Sequence, residues 1–379
     1  MKLQYSLTAV AMGALLLGCG GNNASTSTTT KASLGNSLFH DTQLSANKTM
    51  SCASCHDLES GLVDPRETSR NLGASLGDDG VSIGDRNAPT AGYASFAPEF
   101  HFDGTEGLFI GGQFLDGRAL NLKEQAKGPF LSPVEMGMPD AASVIARIQE
   151  NSLYVRDFKL LYGENVFDDT TSAFDALADA IASFEKGKEF SSFDSKYDKF
   201  LAGEYTLTAA EQRGMDVFTN EALGTPGAGA CTLCHPIAGE KALMTDFSYD
   251  NLGVPVNSAL RTANGQAGNL DEGLFSNPEV NDPSLKGAFK VSSLRNVAVT
   301  APYMHNGKFK NLATVVHFYN TRDVGGINPE TGAVWELGEF HAGRNTDELG
   351  DLGLTDAQEA DLVAFMKTFT DERYEHLIP

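Results

Sequence analysis

Two five-residue runs constrain this chain more than anything else in it: Cys52-Ala53-Ser54-Cys55-His56 and Cys231-Thr232-Leu233-Cys234-His235. Both read C-x-x-C-H, the attachment pattern for haem. Two thiols add to the vinyl groups, and the adjacent His is placed under the iron as axial ligand. The chain has 5 cysteines, and these runs take all but one, which displaces the disulfide framework that an exported chain would otherwise suggest. Two covalent haem c groups are therefore expected, one on Cys52, Cys55 and His56, the other on Cys231, Cys234 and His235.

The sequence before each run repeats as well. Gly35-Asn36-Ser37-Leu38-Phe39 and Gly214-Met215-Asp216-Val217-Phe218 both end 13 residues before the first Cys, and the two copies are offset by 179 residues. That is a duplicated domain rather than a short-period solenoid. Thr208-Ala209-Ala210-Glu211 and Thr355-Asp356-Ala357-Gln358 are capping boxes that open helices. Leu362, Phe365, Met366 and Phe369 fall on one face at helical spacing, as do Phe174, Leu177, Ile181 and Phe184. The stretches 57–120 and 250–300 are rich in Gly, Pro and Asn; a haem supplies an apolar body around which such loops can pack. The expected fold is mostly α, two cytochrome c-like haem domains with long irregular loops, spanning 34–203 and 204–379.

Residues 1–18 read as an export signal, with Lys2 before an apolar run too short to span a bilayer. Leu16-Leu17-Gly18-Cys19 resembles the lipobox of bacterial lipoproteins, so Cys19 is expected to carry lipid and to anchor the chain to a membrane. Residues 19–33 are small and polar and read as a flexible tether. The expected location is the periplasm or cell envelope. With a net charge of −22, nucleic acid is not expected as a partner, whereas an acidic surface can steer a basic redox protein.

Further motifs carry a resemblance to a known family. They are Arg86-Asn87-Ala88-Pro89-Thr90, Phe114-Leu115-Asp116-Gly117-Arg118, Glu124-Gln125-Ala126, Pro133-Val134-Glu135-Met136 and Ser293-Leu294-Arg295-Asn296-Val297, followed by Thr300-Ala301-Pro302-Tyr303-Met304-His305-Asn306-Gly307. Over about residues 34–370 the chain resembles the bacterial diheme cytochrome c peroxidase superfamily, which includes the MauG-type enzymes that oxidise residues of partner proteins. The resemblance implies that hydrogen peroxide reacts at the N-terminal haem and that the second haem relays or stores oxidising equivalents. It places the distal acid/base on Glu135 and the neighbouring amide on Gln125, with Pro129 shaping the pocket. A carboxylate there can take a proton from peroxide and return it to the departing oxygen. One interhaem calcium ion is implied at the Asn87 side chain and the carbonyls of Thr300 and Pro302, hard oxygen donors that water would complete.

Three departures bear on the reaction. In the peroxidase branch a distal His after the first C-x-x-C-H closes the peroxidatic haem; here residues 57–100 hold no His, Leu72 stands near that place, and His101 reads as a packed or surface residue. The expected N-terminal haem is permanently open, as in MauG. Where the peroxidases have a Met ligand to the second haem, Tyr319 stands 14 residues after His305; a phenolate suits higher iron oxidation states better than a thioether. Met304 and His317 are the other candidates. Leu115 occupies the usual interhaem Trp position, Trp335 lies outside that motif, and Phe114 or a propionate contact is left to connect the haems.

The expected function is thus a peroxide-dependent oxidoreductase that draws electrons from a periplasmic protein partner through the second haem. MauG-type oxidation of a partner's side chain is the alternative within the family. A non-enzymatic electron-transfer cytochrome is the rival outside it, and the vacant distal side with Glu135 and Gln125 argues against that, since a pure carrier closes both iron positions.

Overall fold

The helices begin where the sequence caps them. The Thr208 side chain accepts from the Glu211 N–H and the Glu211 carboxylate reaches back, which opens α9 (Ala209–Phe218); Thr355 and Gln358 do the same for α12 (Asp356–Lys367). The computed structural model describes residues 29–219 and 231–379; the signal segment, Cys19 and most of the tether lie outside them. Within the described residues the first half holds α1 (Lys31–Phe39), α2 (Cys52–Cys55), α3 (Glu67–Leu72), α4 (Leu122–Leu131), α5 (Ala141–Gln149), α6 (Ser152–Tyr162) and α7 (Thr170–Glu185). The second half holds α8 (Lys196–Leu201), α9, α10 (Ser258–Ala263), α11 (Leu312–Thr321) and α12. Strands are few: β1 (His101–Asp103) pairs antiparallel with β2 (Leu108–Ile110), and β3 (Tyr249–Asp250) with β4 (Phe289–Lys290). The fold is mostly α, as expected.

The repeated glycines explain how each half is assembled. A Cβ on Gly35 would sit 1.9 Å from the Ala180 carbonyl oxygen, and one on Gly214 would sit 2.0 Å from that of Asp361. Only Gly allows α1 to cross α7, and α9 to cross α12, at such close range. Four residues on, Phe39 meets Phe184 edge-on at 5.4 Å and Phe218 meets Phe365 at 5.5 Å. Two separate apolar cores result, one built on α1, α4, α5 and α7, the other on α9, α11 and α12. Packing changes hands between Phe190, in the first core, and Tyr197, in the second. A boundary after residue 203 assigns α8 to the first half, yet the Tyr197 ring packs on Phe365 and Phe369 and its hydroxyl donates to the Ile237 carbonyl.

The two irregular stretches face each other and form the interface between the halves. The Tyr249 hydroxyl donates to the Gly111 carbonyl at 2.6 Å, the Lys290 N–H to that of Leu115 at 2.9 Å, and Arg86 pairs with Asp271 at 2.6 Å. Gly73 and Gly307 touch backbone to backbone, a Cβ on Gly307 falling 2.3 Å from the Gly73 Cα. Each loop's polar backbone is satisfied partly by the other, which is why neither needs regular structure of its own.

Candidate active site

Both C-x-x-C-H runs present their histidines in the same way. His56 Nδ1 lies 3.2 Å from the Leu62 carbonyl oxygen, and His235 Nδ1 lies 2.7 Å from that of Met244. Leu62 (φ 61) and Met244 (φ 55) both sit in the left-handed region, a conformation that costs an L-residue about 1–3 kcal/mol and persists only where something requires it. Here it aims a carbonyl at the imidazole, fixing the proton on Nδ1 and leaving Nε2 unprotonated, with its lone pair available to a metal. Burial lowers the proton affinity of both rings and keeps them neutral, as an iron ligand must be.

Among the described residues Cys52, Cys55 and Cys234 form no disulfide. Burial pushes the thiols up, Cys55 to about 11 and Cys231 and Cys234 to about 12, with Cys52 higher still. Such an apolar setting suits an uncharged thioether. The donor set and the paired carbonyl brackets fit a haem c at each run.

Around the first run, α4 carries Gln125 and Pro129 one turn apart, and therefore on one face. Pro129 has no N–H to give to the Gln125 carbonyl, which opens the helix there. Its own carbonyl accepts from Met136, and Ser132 accepts from Glu135 N–H; these bonds fold the 132–136 turn back onto α4. The turn brings the Glu135 carboxyl into the electrostatic range of Cys52 and Cys55. Burial raises its proton affinity, opposed by a hydrogen bond with Ser132 and by the Arg118 charge.

The second run opens on a cavity at the interface, lined by Cys231, Cys234, His235, Met304 and Tyr319 among others. Tyr319 comes from α11, and its phenol is pushed up by burial first and by Asp250 next. Met304 shares the cavity, whereas His317 turns away to Glu359, with Nδ1 2.9 Å from Oε1.

The remaining expected positions are distributed as follows. Leu115 is buried on the cavity wall beside Phe114. Phe114 takes a left-handed φ of 63, and the Arg118 guanidinium lies 3.7 Å from its ring centroid. Trp335 is packed on Phe309 and Phe318 and donates to Thr321 Oγ1 at 2.9 Å. His101 is exposed on β1 and contacts the Glu99 carbonyl. Leu72 ends α3, its carbonyl accepting from Asn257 of the second half at 2.8 Å, so the segment is held in place. Asn87 Nδ2 donates to the Pro302 carbonyl at 2.6 Å, and Thr300 lines the same cavity.

Some charged residues near the sites were visible in motifs but carried no role there. Arg86 bridges Asp116 and Asp271, each at 2.6 Å, and Asp116 also holds Arg118. The Arg86 and Asp116 motifs hinted at this; Asp271, in an irregular loop, gave no signal. Glu185 is 6% exposed with no partner for Oε2, and burial raises it to about 8. It is the last residue of α7, whose apolar face was legible, and nothing in the spacing singled it out.

A family model described as di-haem cytochrome c peroxidase matches residues 29–206. Methylamine utilization protein MauG of Paracoccus denitrificans is 48% identical over 359 residues, 92% of this chain and 90% of that protein. Cytochrome c peroxidase Ccp of Escherichia coli is 32% identical over 79% of this chain, which spans 55% of that longer protein. The crystal structure of the diheme peroxidase BthA from Burkholderia thailandensis superposes with a TM-score of 0.81 at 31% identity, covering 92% of this chain and 88% of that one.

Proposed function

The chain belongs to the di-haem cytochrome c peroxidase family and is a haem c oxidoreductase, and from that premise we propose that it reacts with hydrogen peroxide at the N-terminal site and draws electrons from a protein partner through the second. A haem, when bound, supplies the redox-active iron. Cys52 and Cys55 tether it, and His56 offers Nε2 because Nδ1 is committed to Leu62. The raised proton affinity of Glu135 suits a carboxylate that takes a proton from one peroxide oxygen and delivers it to the other as it departs. Gln125 orients the peroxide by hydrogen bonding, and Pro129 shapes the pocket. Cys231, Cys234 and His235 hold the second group, and Tyr319 offers its oxygen to the same cavity.

The observation that carries this reading is the convergence of the half-buried Glu135 on the first C-x-x-C-H. Mixing the fully ferric protein with peroxide tests it. A high-spin signal that changes at once, without prior reduction, is expected; two low-spin haems that ignore peroxide would establish the carrier instead.

MauG-type oxidation of a partner's side chain is favoured by one observation, that Tyr319 lines the cavity at the second run. A mass change in a co-encoded partner protein after peroxide treatment separates the two versions. The proposal extends to one calcium ion at Asn87, Thr300 and Pro302. The Asn87 amide already meets the Pro302 carbonyl, and rotating it by half a turn would present two oxygens to a cation. It extends also to export to the periplasm and to a lipid on Cys19, which anchors the mature chain.

A further inference from the structure

The second cavity has an unbalanced charge. Of the residues lining it among those described, Lys290 is the one Lys or Arg, while Asp250, Asp271, Glu339 and Glu348 also face it. Asp271 is paired with Arg86, and Arg261 lies 3.6 Å from Glu339. A haem brings two propionate carboxylates of its own, and burying a carboxylate without a partner is costly.

Lys290 is placed to answer this. It ends β4, and both its ends grip the same segment of the first half: its N–H donates to the Leu115 carbonyl at 2.9 Å and its Nζ to the Gly112 carbonyl at 2.7 Å. An ammonium has three N–H donors, so two remain beyond the bond to Gly112. Asp116 is the carboxylate that its charge feels, but Asp116 is already bound by Arg86 and Arg118.

We infer that Lys290 binds a propionate of the second haem and ties that edge of the haem to residues 112–115 of the first half. The site takes a carboxylate and is built by both halves at once. Burial lowers Lys290 to about 8 in the chain alone, and an anionic partner would restore its full charge. The segment it grips contains Phe114 and Leu115, between the two sites, so the haem edge is held against the part of the chain that separates them. This rests on the two-haem reading but not on peroxide chemistry.

The test uses the holoprotein and reads both midpoint potentials by spectroelectrochemical titration between pH 5 and 9. Lys290→Gln keeps a donor for the Gly112 carbonyl but removes the charge. It is expected to lower the potential of the second haem and make it pH-dependent as the released propionate titrates, leaving the first haem unchanged. Lys290→Arg is expected to stay close to wild type. An unchanged potential and pH profile in Lys290→Gln would overturn the inference, as would equal shifts in both haems. Should Lys290→Gln not fold, the propionate bending band in the resonance Raman spectrum decides: it must move between wild type and Lys290→Arg, and a band that stays put overturns the inference. Peroxide reactivity is read nowhere in this test, so failure of the peroxidase reading leaves it standing.

Discussion

The two haem regions share a grip and differ in what they hold out to the ligand. Each has a glycine crossing, Gly35 on α7 and Gly214 on α12, and each aims a left-handed residue's carbonyl at its histidine. Beyond that they diverge. Beside the first run stand two protonatable carboxyls, Glu135 and Glu185, and Arg66 reaches Cys55 Sγ at 3.2 Å. Beside the second stand Tyr319, Met304 and Lys290, the one Lys or Arg lining the cavity among the described residues, and Asp250, which accepts from Asn345. Duplication has kept what fastens a haem, which tolerates little change. The surroundings differ, and on the proposed reading one set moves protons while the other holds charge.

That division can be broken most sharply at Glu135. Glu135→Gln is expected to slow the reaction with peroxide by roughly 100-fold or more, the scale of a lost general acid/base, while the second haem keeps its spectrum and potential. Stopped-flow mixing measures the rate, and an unchanged rate would move the proton-transfer role elsewhere.

The shared grip is tested by Gly35→Ala and Gly214→Ala. Each Cβ meets a carbonyl oxygen, so each is expected to destabilise its own half by about 1–3 kcal/mol, the usual cost of overpacking. Denaturant unfolding followed at each haem's own absorption would show whether the damage is local; equal effects on both haems from either variant would mean that the halves unfold as one unit.

Next in size is Tyr319→Phe. With the proposed ligand gone, the second haem should open or exchange one axial position and rise in potential, because an anionic donor has been removed. The covalent links through Cys231 and Cys234 are retained. Low-temperature spin-resonance spectra identical to wild type would leave Tyr319 as packing and turn attention to Met304 on the same cavity.

Glu185 should give an effect that is smallest near pH 4 and grows with pH. Its folded value of about 8 lies above the ordinary 4.5, so the folded state binds the extra proton between these limits. Stability is then highest at acid pH and is lost as pH rises toward 8. Glu185→Gln should flatten that slope, matching wild type near pH 4 and exceeding it at pH 9 in thermal unfolding. A slope that survives the substitution would assign it to another group.

By itself the sequence determined much of what depends on neighbours along the chain. Two C-x-x-C-H runs name four thiols and two imidazoles, capping boxes at Thr208 and Thr355 start their helices, and a repeated Gly-x-x-x-Phe marks both crossings. These are local rules, with spacing fixed by covalent geometry or helix pitch. Only the tertiary structure decided what depends on distance through space. Arg86 finds Asp271, 185 residues away, and Lys290 finds Gly112 across the interface; Glu185 becomes a buried acid because α7 ends inside the first core. No periodicity announces such meetings, because irregular loops pair through single backbone groups and side chains, and a charge's surroundings exist only once both halves have packed.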